Sequence, residues 1–323
     1  MLVTGFMGSP RKNGNTAFLL KRFLEEIQYL GGETRQIHVP DLKIRPCTGC
    51  SMCEKKGHCH FNDDMQTTVF PLLRNSQIVV MASPIYFYTV PAEMKAMIDR
   101  TQTLWSRKFK LGLKDPEETK RQGFLLSVGA TRGKDLFDSI NLTMKYFFRG
   151  ISTDFMGGLT YSRIEDPHEM GKHPTVEADI RHAAENIMSG FTQKPAWLFL
   201  CSDNSLTSQM AAAFAQKMAG ESVHVYSAGF HPAQDIHPLL VTAMEEKGID
   251  LAYRKPCGIE SVTKVIRPER VIVIGQQSPR SLPFPGADIL KWDMDTPQPS
   301  TMEEIKNLRD RIEDKVNSLL LSK

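Results

Sequence analysis

The sequence predicts an α/β protein in which a doubly wound parallel sheet is followed by a second, smaller α/β unit. Short apolar runs typical of buried strands alternate with longer segments whose apolar residues recur at helical spacing. Such alternation favours a parallel sheet that helices cover on both faces. The chain has 323 residues, which suits two domains better than one, and the pattern starts again after residues 190–195. We therefore expect one domain over residues 1–193 and another over residues 194–323.

Strands and helices alternate through both predicted domains. The first helix ends at a Gly-Gly pair, and the third accepts Pro91 because proline is tolerated in a first helical turn. In the first domain we predict strands over residues 2–8, 34–39, 76–84, 123–130 and 151–162, and helices over residues 17–32, 63–76, 90–104, 138–150 and 173–190. In the second domain we predict strands over residues 196–200, 223–229 and 270–275, and helices over residues 209–220, 237–249 and 301–321.

Composition excludes several classes of function. The net charge is only +3, which points to neither nucleic acid nor an anionic membrane surface as a partner. No apolar stretch approaches the roughly 18 residues of a membrane span. The N-terminus has no charged stretch before an apolar run, so we expect no secretory signal. These observations predict a cytoplasmic globular protein with no nucleic-acid or membrane partner.

The loop after the first predicted strand has the composition of a phosphate site. It contains Gly14, which lets the backbone approach a ligand closely, and it leads into a helix whose free N–H groups and dipole attract anions. A plain helix-capping loop is the alternative, because Ser and Asn often have that role. The side chains expected to contact a phosphate monoester are Ser9, Arg11, Asn13, Asn15 and Thr16.

Four of the six cysteines lie between positions 47 and 59, and they have the spacing C-x2-C-x2-C-x5-C. Cys47, Cys50, Cys53 and Cys59 could bind Zn or an iron–sulfur cluster, because soft thiolates suit both. Zinc sites more often use two separated C-x2-C pairs, so this spacing favours a [4Fe–4S] cluster. Zinc and free or redox-active thiols remain alternatives. His58 and His60 flank the last cysteine and could serve as alternative ligands, although we expect them to be solvated.

Three segments resemble NAD(P)H-dependent FMN reductases of the flavodoxin-like superfamily. Residues 8–16 resemble the family's phosphate loop, residues 83–91 the loop beside the flavin ring, and residues 127–133 the loop at the flavin edge. The resemblance implies a flavodoxin-like doubly wound parallel sheet that binds FMN, with NAD(P)H as a possible co-substrate. The implied flavin contacts outside the first loop are Pro84, Ile85, Tyr86, Phe87, Thr89, Ser127, Gly129 and Gly133.

The cysteine segment resembles that of iron–sulfur flavoproteins, which join such a segment to an FMN-binding flavodoxin-like domain. The resemblance covers essentially residues 1–190. It implies an oxidoreductase that passes electrons between a reduced donor, FMN and a [4Fe–4S] cluster. The redox partner would be NAD(P)H, ferredoxin or a small molecule. It also implies a homo-oligomer, because in that family the cluster of one subunit lies near the flavin of another.

Residues 195–323 resemble the low-molecular-weight tyrosine phosphatases and the thioredoxin-coupled arsenate reductases. The resemblance rests on residues 198–211, 227–229, 237–251 and 292–297, and it implies a second, smaller α/β domain that is phosphatase-I-like. In that family the loop is C-x5-R-S and its Cys is the nucleophile. Here Cys201 is retained, and its place between strand and helix leads us to expect a partly exposed thiol.

The same domain departs from the family pattern at the positions that bind and protonate the substrate. Thr207 stands where the family has the oxyanion-binding Arg, and the acidic pair before the final Pro is reduced to Asp295–Thr296–Pro297. Neither Leu206 nor residues 275–277 supply the further cysteines that arsenate reductases use. We therefore expect a non-catalytic or repurposed domain. An arsenate reductase or phosphatase that uses Cys201, with the flavin domain as its electron source, is the alternative.

Overall fold

The computed structural model describes residues 1–118, 121–191, 195–220, 222–263, 266–276, 282–294 and 299–321. It divides into two compact units. One consists of Leu2–Gly112 with Thr119–Thr192, and the other of Met1, Leu113–Glu118 and Gln193–Lys323. The predicted boundary at residues 193/194 lies outside the described residues and stays a prediction. Among the described helices, none combines the length and apolar character needed to cross a membrane.

The first unit contains a five-stranded sheet in which all neighbouring strands are parallel. The strand order is β2-β1-β3-β4-β5, the doubly wound order of flavodoxin-like folds. The direction of winding changes between β1 and β3, and ligands of such folds bind beside that switch point. The strands are β1 (Leu2–Met7), β2 (Glu33–His38), β3 (Ile78–Pro84), β4 (Gln122–Gly129) and β5 (Asp154–Ser162).

Seven α-helices accompany this sheet in the described part of the unit. The first helix packs closely on the sheet, since a Cβ on Gly5 of β1 would lie 2.6 Å from the side chain of Leu20. Phe23 of the same helix stacks on Phe124 of β4 with ring centroids 5.3 Å apart. The helices are α1 (Asn15–Tyr29), α2 (Met52–Lys56), α3 (Phe70–Asn75), α4 (Ala92–Arg100), α5 (Gln102–Phe109), α6 (Asp138–Gly150) and α7 (Val176–Ser189).

Three local features of this unit differ from the sequence prediction. The helix predicted over residues 90–104 is two helices, α4 and α5, divided at Thr101, whose N–H and hydroxyl both donate to the carbonyl of Ile98, at 3.0 and 2.6 Å. The segment predicted as one helix over residues 63–76 begins as a π-helical turn, Met65–Val69, before α3. Helix α2 was not predicted, and it places Cys53 on a short helix rather than in a turn.

The second unit contains a four-stranded parallel sheet in the order β7-β6-β8-β9. Its last strand, β9, and the short helix α10 were not predicted. Each contains only one buried residue, so neither has a regular apolar pattern in the sequence. The strands are β6 (Ala196–Cys201), β7 (His224–Gly229), β8 (Arg270–Ile274) and β9 (Asp288–Trp292). The helices are α8 (Thr207–Ala219), α9 (Leu240–Glu245), α10 (Ile259–Thr263) and α11 (Met302–Leu321).

A six-residue segment from the first half of the chain, Leu113–Glu118, belongs to this second unit. Lys114 donates its N–H to the carbonyl of Gly248 at 2.9 Å and accepts the N–H of Asp250 at 2.8 Å. Asp115 forms a buried ion pair with Arg254, with Nη2 and Oδ1 2.8 Å apart. The sequence did not predict that residues 113–118 belong to the second unit, since no sequence pattern links the two regions.

Candidate functional site

The three predicted flavin-binding segments meet at one edge of the first sheet. Strands β1, β3 and β4 are parallel neighbours, so their carboxyl ends lie side by side. Backbone hydrogen bonds tie the loops that follow them. Gly8 donates to the carbonyl of Ala82 at 2.8 Å, and Ile85 donates to the carbonyl of Val128 at 2.9 Å. The edge therefore presents the phosphate-type loop, the aromatic loop and the Gly-rich loop together.

The first loop leads into α1 with Gly14 at the N-cap position, and no side chain caps the helix. The N–H groups of the first turn are therefore available to an anion. Ser9 is buried and its hydroxyl accepts the N–H of Arg11 at 3.2 Å, whereas Arg11 itself is exposed. Thr16 is buried at the start of the helix, and Asn13 is exposed on the loop.

Asn15 has a second set of contacts that the sequence did not indicate. Its amide donates to the carbonyl of Asp166 at 2.9 Å, and its carbonyl oxygen accepts the N–H of Met170 at 3.1 Å. The side chain therefore joins the first turn of α1 to the segment after β5. Asn15 contributes to the shape of this edge of the sheet, and its backbone N–H remains part of the helix N-terminus.

The loop after β3 is a tight turn that carries three aromatic side chains. Tyr86 and Thr89 exchange backbone hydrogen bonds of 2.9 and 3.0 Å, and the two residues between them have φ angles of 47° and 64°. Left-handed backbone at bulky residues is strained and is concentrated at functional sites. Phe87 is completely exposed, at 102% of its reference area, so folding gives its ring no partner within the unit.

The third loop packs against the aromatic turn. A Cβ on Gly133 would lie 2.6 Å from the Tyr88 hydroxyl, so the two loops are in close contact where this glycine sits. Ser127 lies inside the sheet, and its buried hydroxyl donates to the carbonyl of Ser83 at 2.8 Å. Ser127 therefore joins β4 to β3, and Gly129 follows it at the end of the strand.

The cysteine segment forms one cavity of about 500 Å³, and all four predicted ligands line it. Gly49 and Gly57 have φ angles of 67° and 69°, which permit the turns on either side of α2. The Sγ of Cys50 lies 3.3 Å from Nδ1 of His60, and the Ser106 hydroxyl donates to the Sγ of Cys53 at 3.5 Å. In the part of the chain that the structure describes, no three His, Cys, Asp or Glu side chains form a ready set of ligands around one ion.

The two histidines of this segment differ in position. Both His58 and His60 are exposed, as we expected, but only His60 also lines the cavity with the cysteines. The Nδ1 of His58 lies 3.0 Å from the carbonyl of Lys56. The ring of His60 lies against that of Phe61, with centroids 3.9 Å apart and the planes tilted by 40°.

An ion pair that the sequence did not single out lies beside the cysteines. Arg100 lines the cavity, is only 2% exposed, and contacts both carboxylate oxygens of Asp63 at 2.7 and 3.1 Å. Its Nη1 also donates to the carbonyl of Arg45 at 2.7 Å. Burial opposes the negative charge of Asp63, yet hydrogen bonds from Arg100 and from the N–H of Arg45 hold its pKa below the ordinary value. The pair joins the chain on either side of the cysteine segment.

In the second unit, Cys201 ends β6 and is buried, which corrects our expectation of a partly exposed thiol. The loop closes over it, because its Sγ accepts the N–H of Asn204 at 3.2 Å and lies 3.0 Å from the Ser208 hydroxyl. Asn204 has a φ of 56° and no exposed surface. Its amide donates to Ser208 at 2.8 Å, and its oxygen accepts the N–H of Cys257 at 2.9 Å. The sequence analysis did not connect Cys257 with this loop.

The Cys201 loop contains an anion and no cation. Thr207, at the position of the family's Arg, is buried at the start of α8. Asp203 places its Oδ1 4.0 Å from the Sγ of Cys201, where the same oxygen accepts hydrogen bonds from Ser205. The predicted remnant of the general acid, Asp295–Thr296–Pro297, lies outside the described residues, as does Gln277.

Comparisons with known proteins agree with this division. Residues 1–135 match the family model of NADPH-dependent FMN reductases, and residues 197–323 match that of low molecular weight phosphotyrosine protein phosphatases. The chain therefore contains a domain of the phosphatase and arsenate reductase family, and it joins that domain to a segment that matches the FMN reductase model. An iron–sulfur flavoprotein of Archaeoglobus fulgidus is 42% identical to the FMN reductase-type part over 100 residues, which cover 31% of this chain and 45% of the relative. The chain spans about half to two thirds of the length of the iron–sulfur flavoproteins that it matches.

The phosphatase-family domain has relatives of its own. A protein of Halobacterium salinarum with a provisional arsenate reductase name is 31% identical over 126 residues, which cover 38% of this chain and 87% of the relative. The solved structure of a thioredoxin-dependent arsenate reductase from Corynebacterium glutamicum is 28% identical, covers 47% of this chain and 78% of that chain, and has a TM-score of 0.34. Both matched families are the ones that the sequence resembles, and the two parallel sheets of the structure confirm the two-domain α/β fold expected from the sequence.

Proposed function

We propose that this chain is an FMN-dependent oxidoreductase that transfers electrons between a reduced donor, FMN and a [4Fe–4S] cluster. The observation that carries the proposal is that one compact unit contains both an anion-binding loop beside an exposed aromatic turn and a single cavity lined by four cysteines. Bound FMN would exchange hydride equivalents for single electrons, and the cluster would carry the single electrons. NAD(P)H is the donor that the family name suggests, and the implied homo-oligomer and cytoplasmic location also stay predictions.

The residues at the sheet edge suit FMN. The uncapped N-terminus of α1 offers N–H groups to the phosphate, and Ser9 and Asn13 are placed on the same loop. Tyr86, Phe87 and Tyr88 are all exposed, so their rings can cover the flavin without first leaving a core. Pro84, Ile85 and Thr89 hold the base of that turn, and Gly129 and Gly133 leave room on the neighbouring loop.

The cysteine cavity suits a cluster. Four thiols are the usual ligand set of a [4Fe–4S] cluster, and their cavity of about 500 Å³ is far larger than one tetrahedral ion needs. The wall also contains the cation of Arg100, which favours a group with negative charge. Cys47 and Cys50 are exposed and Cys53 and Cys59 half-buried, so the cavity is open to assembly from one side.

A metal and flavin analysis tests the proposal. Protein purified anaerobically should contain FMN together with iron and sulfide. Cys50→Ser should lose iron and keep FMN, because the cysteine cavity and the phosphate-type loop are separate parts of the unit. Cys257→Ser is the matched control, since Cys257 lies in the other unit, and it should retain both. Wild-type protein that contains neither iron nor bound flavin, or a Cys50→Ser variant with full iron content, would contradict the proposal.

For the phosphatase-family domain we propose a non-catalytic role. The loop lacks a cation at Thr207 and holds the Asp203 carboxylate near Cys201, which disfavours a phosphate or arsenate dianion. The alternative, an arsenate reductase or phosphatase, draws support from the Cys201 thiol, which accepts the Asn204 N–H as a reactive thiolate would. Turnover of para-nitrophenyl phosphate or arsenate that disappears in Cys201→Ser would establish that alternative.

A further inference from the structure

Arg100 has a hydrogen-bond donor that the protein leaves without a partner. The side chain is 1% exposed, and Asp63 and the carbonyl of Arg45 account for contacts of Nη1 and Nη2. The Nε–H is buried and has no acceptor. A buried donor without a partner costs about 1–3 kcal/mol, so it calls for an explanation, and a group bound in the cavity that Arg100 lines supplies one.

The position of this side chain identifies the kind of ligand. Arg100 lines the cavity of the four cysteines. An arginine side chain keeps its positive charge at any pH that the folded protein meets. The guanidinium is therefore a permanent cation in the wall of the cavity that Cys59 also lines.

We propose that Arg100 sets the reduction potential of the cluster by donating its Nε–H to a cluster sulfur on the Cys59 side of the cavity. The inference rests on the proposed [4Fe–4S] site. Reduction adds one electron and no proton to the cluster, so the cluster becomes more negative by one charge. A buried cation that hydrogen-bonds sulfur favours that reduced state, and such contacts are among the factors that set cluster potentials.

Asp63 should lower the reduction potential of the cluster, whereas Arg100 should raise it. Its carboxylate is 8% exposed and binds the guanidinium through both oxygens, so it neutralises part of the charge that the cluster experiences. It also accepts the N–H groups of Arg45 and Met65 at 3.1 Å each, which fixes its position beside the cysteine segment. The pair thus predicts two substitutions with shifts of opposite sign.

The test is an anaerobic redox titration of the cluster, followed by its electron paramagnetic resonance signal, in the full chain. Arg100→Gln should make one-electron reduction about tenfold less favourable, a shift of about 59 mV to more negative potential. Asp63→Asn should shift the potential to more positive values. Arg100→Lys keeps the charge without the Nε–H and should fall between Arg100→Gln and the wild type. Lys55→Gln removes the same charge from an exposed residue near Cys53 and should leave the potential close to the wild-type value.

The outcomes separate this inference from the proposed function. Wild-type protein without iron and sulfide refutes the cluster itself. Iron-loaded Arg100→Gln with a wild-type potential overturns the role of Arg100 and leaves the cluster intact. If Arg100→Gln cannot hold iron, Asp63→Asn decides, because only the electrostatic role predicts a positive shift. Loss of iron from both variants would show that the ion pair is only structural, and would also overturn the inference.

Discussion

Removal of the Arg254 side chain should destabilise the phosphatase-family domain more than any exposed substitution. Arg254 donates to Asp115 and to Glu117 at 2.8 Å each, and the side chains of Arg254 and Asp115 are 8% and 1% exposed. Burial alone would lower the pKa of Arg254, but the carboxylates of Glu117 and Asp115 raise this pKa above its ordinary value. Arg254→Met would remove this guanidinium and leave the Asp115 carboxylate charged in a buried position. Loss of one partner of a buried pair costs about 3–5 kcal/mol.

Hydrogen exchange resolved by peptide mass spectrometry can measure this cost. A loss of about 3–5 kcal/mol lowers protection roughly a hundredfold or more, since about 1.4 kcal/mol corresponds to a factor of ten. The change should reach Lys114, whose N–H binds the carbonyl of Gly248, and the facing N–H of Asp250. The double variant Arg254→Met/Asp115→Asn should recover part of the protection, because it removes the buried carboxylate charge as well.

The matched control is the next residue in the chain. Lys255 pairs with Asp235, but the two side chains are 41% and 63% exposed. Exposed pairs contribute about 0–1 kcal/mol, so Lys255→Met should change protection little. Equal effects of Arg254→Met and Lys255→Met would refute the reasoning, as would unchanged exchange at residues 113–118 in Arg254→Met.

Two further substitutions test the candidate sites. Phe87→Ala should leave the free energy of unfolding unchanged, because the ring is completely exposed. It should weaken FMN binding about two- to tenfold, which corresponds to the roughly 0.5–1.5 kcal/mol of an aromatic pair. Fluorescence titration of the apoprotein measures this affinity, and an unchanged affinity would show that Phe87 is not part of the flavin site. Asn204→Ala removes the amide that donates to Ser208 and the oxygen that accepts the N–H of Cys257. Iodoacetamide should therefore label Cys201 faster in the variant, and mass spectrometry measures the rate. Equal labelling rates in variant and wild type would show that Asn204 does not close the loop.

Much of the fold was predictable because β1, β3 and β4 are apolar runs that end at or directly before Gly or Pro. The residues at the strand ends also located the three flavin-type loops, because ligands of parallel sheets bind at the carboxyl ends of the strands. Edge strand β9 was missed because it carries only one buried residue, so burial left no pattern in its sequence. Segment 113–118 was missed for another reason. Asp115 and Arg254 are 139 positions apart, and an ion pair over that distance has no local signal.

At the cysteine site, too, the sequence identified some of the residues and missed others. Spacing alone indicated four thiols around one centre, because all four lie within thirteen residues. Arg100 stood in the printed sequence as one basic residue among 40 Lys and Arg, and only the fold brings it to the cavity wall. Residues that bind a cofactor can therefore be found by motif. Residues that tune it act through the charge they bring from distant elements, and they become visible only in three dimensions.

The Cys201 loop separates two functions that the phosphatase family combines. Asn204 and Ser208 hold the loop in shape through contacts with Cys201, Cys257 and each other, and every one of those contacts is present. Thr207 replaces the cation that would hold a substrate anion, and the Asp203 carboxylate lies 4.0 Å from the thiol. The hydrogen bonds that shape the loop are therefore supplied by its own residues and by Cys257, and none of them requires a bound anion. Cys201 is buried by these contacts, so the loss of Asn204 should be enough to expose it to labelling.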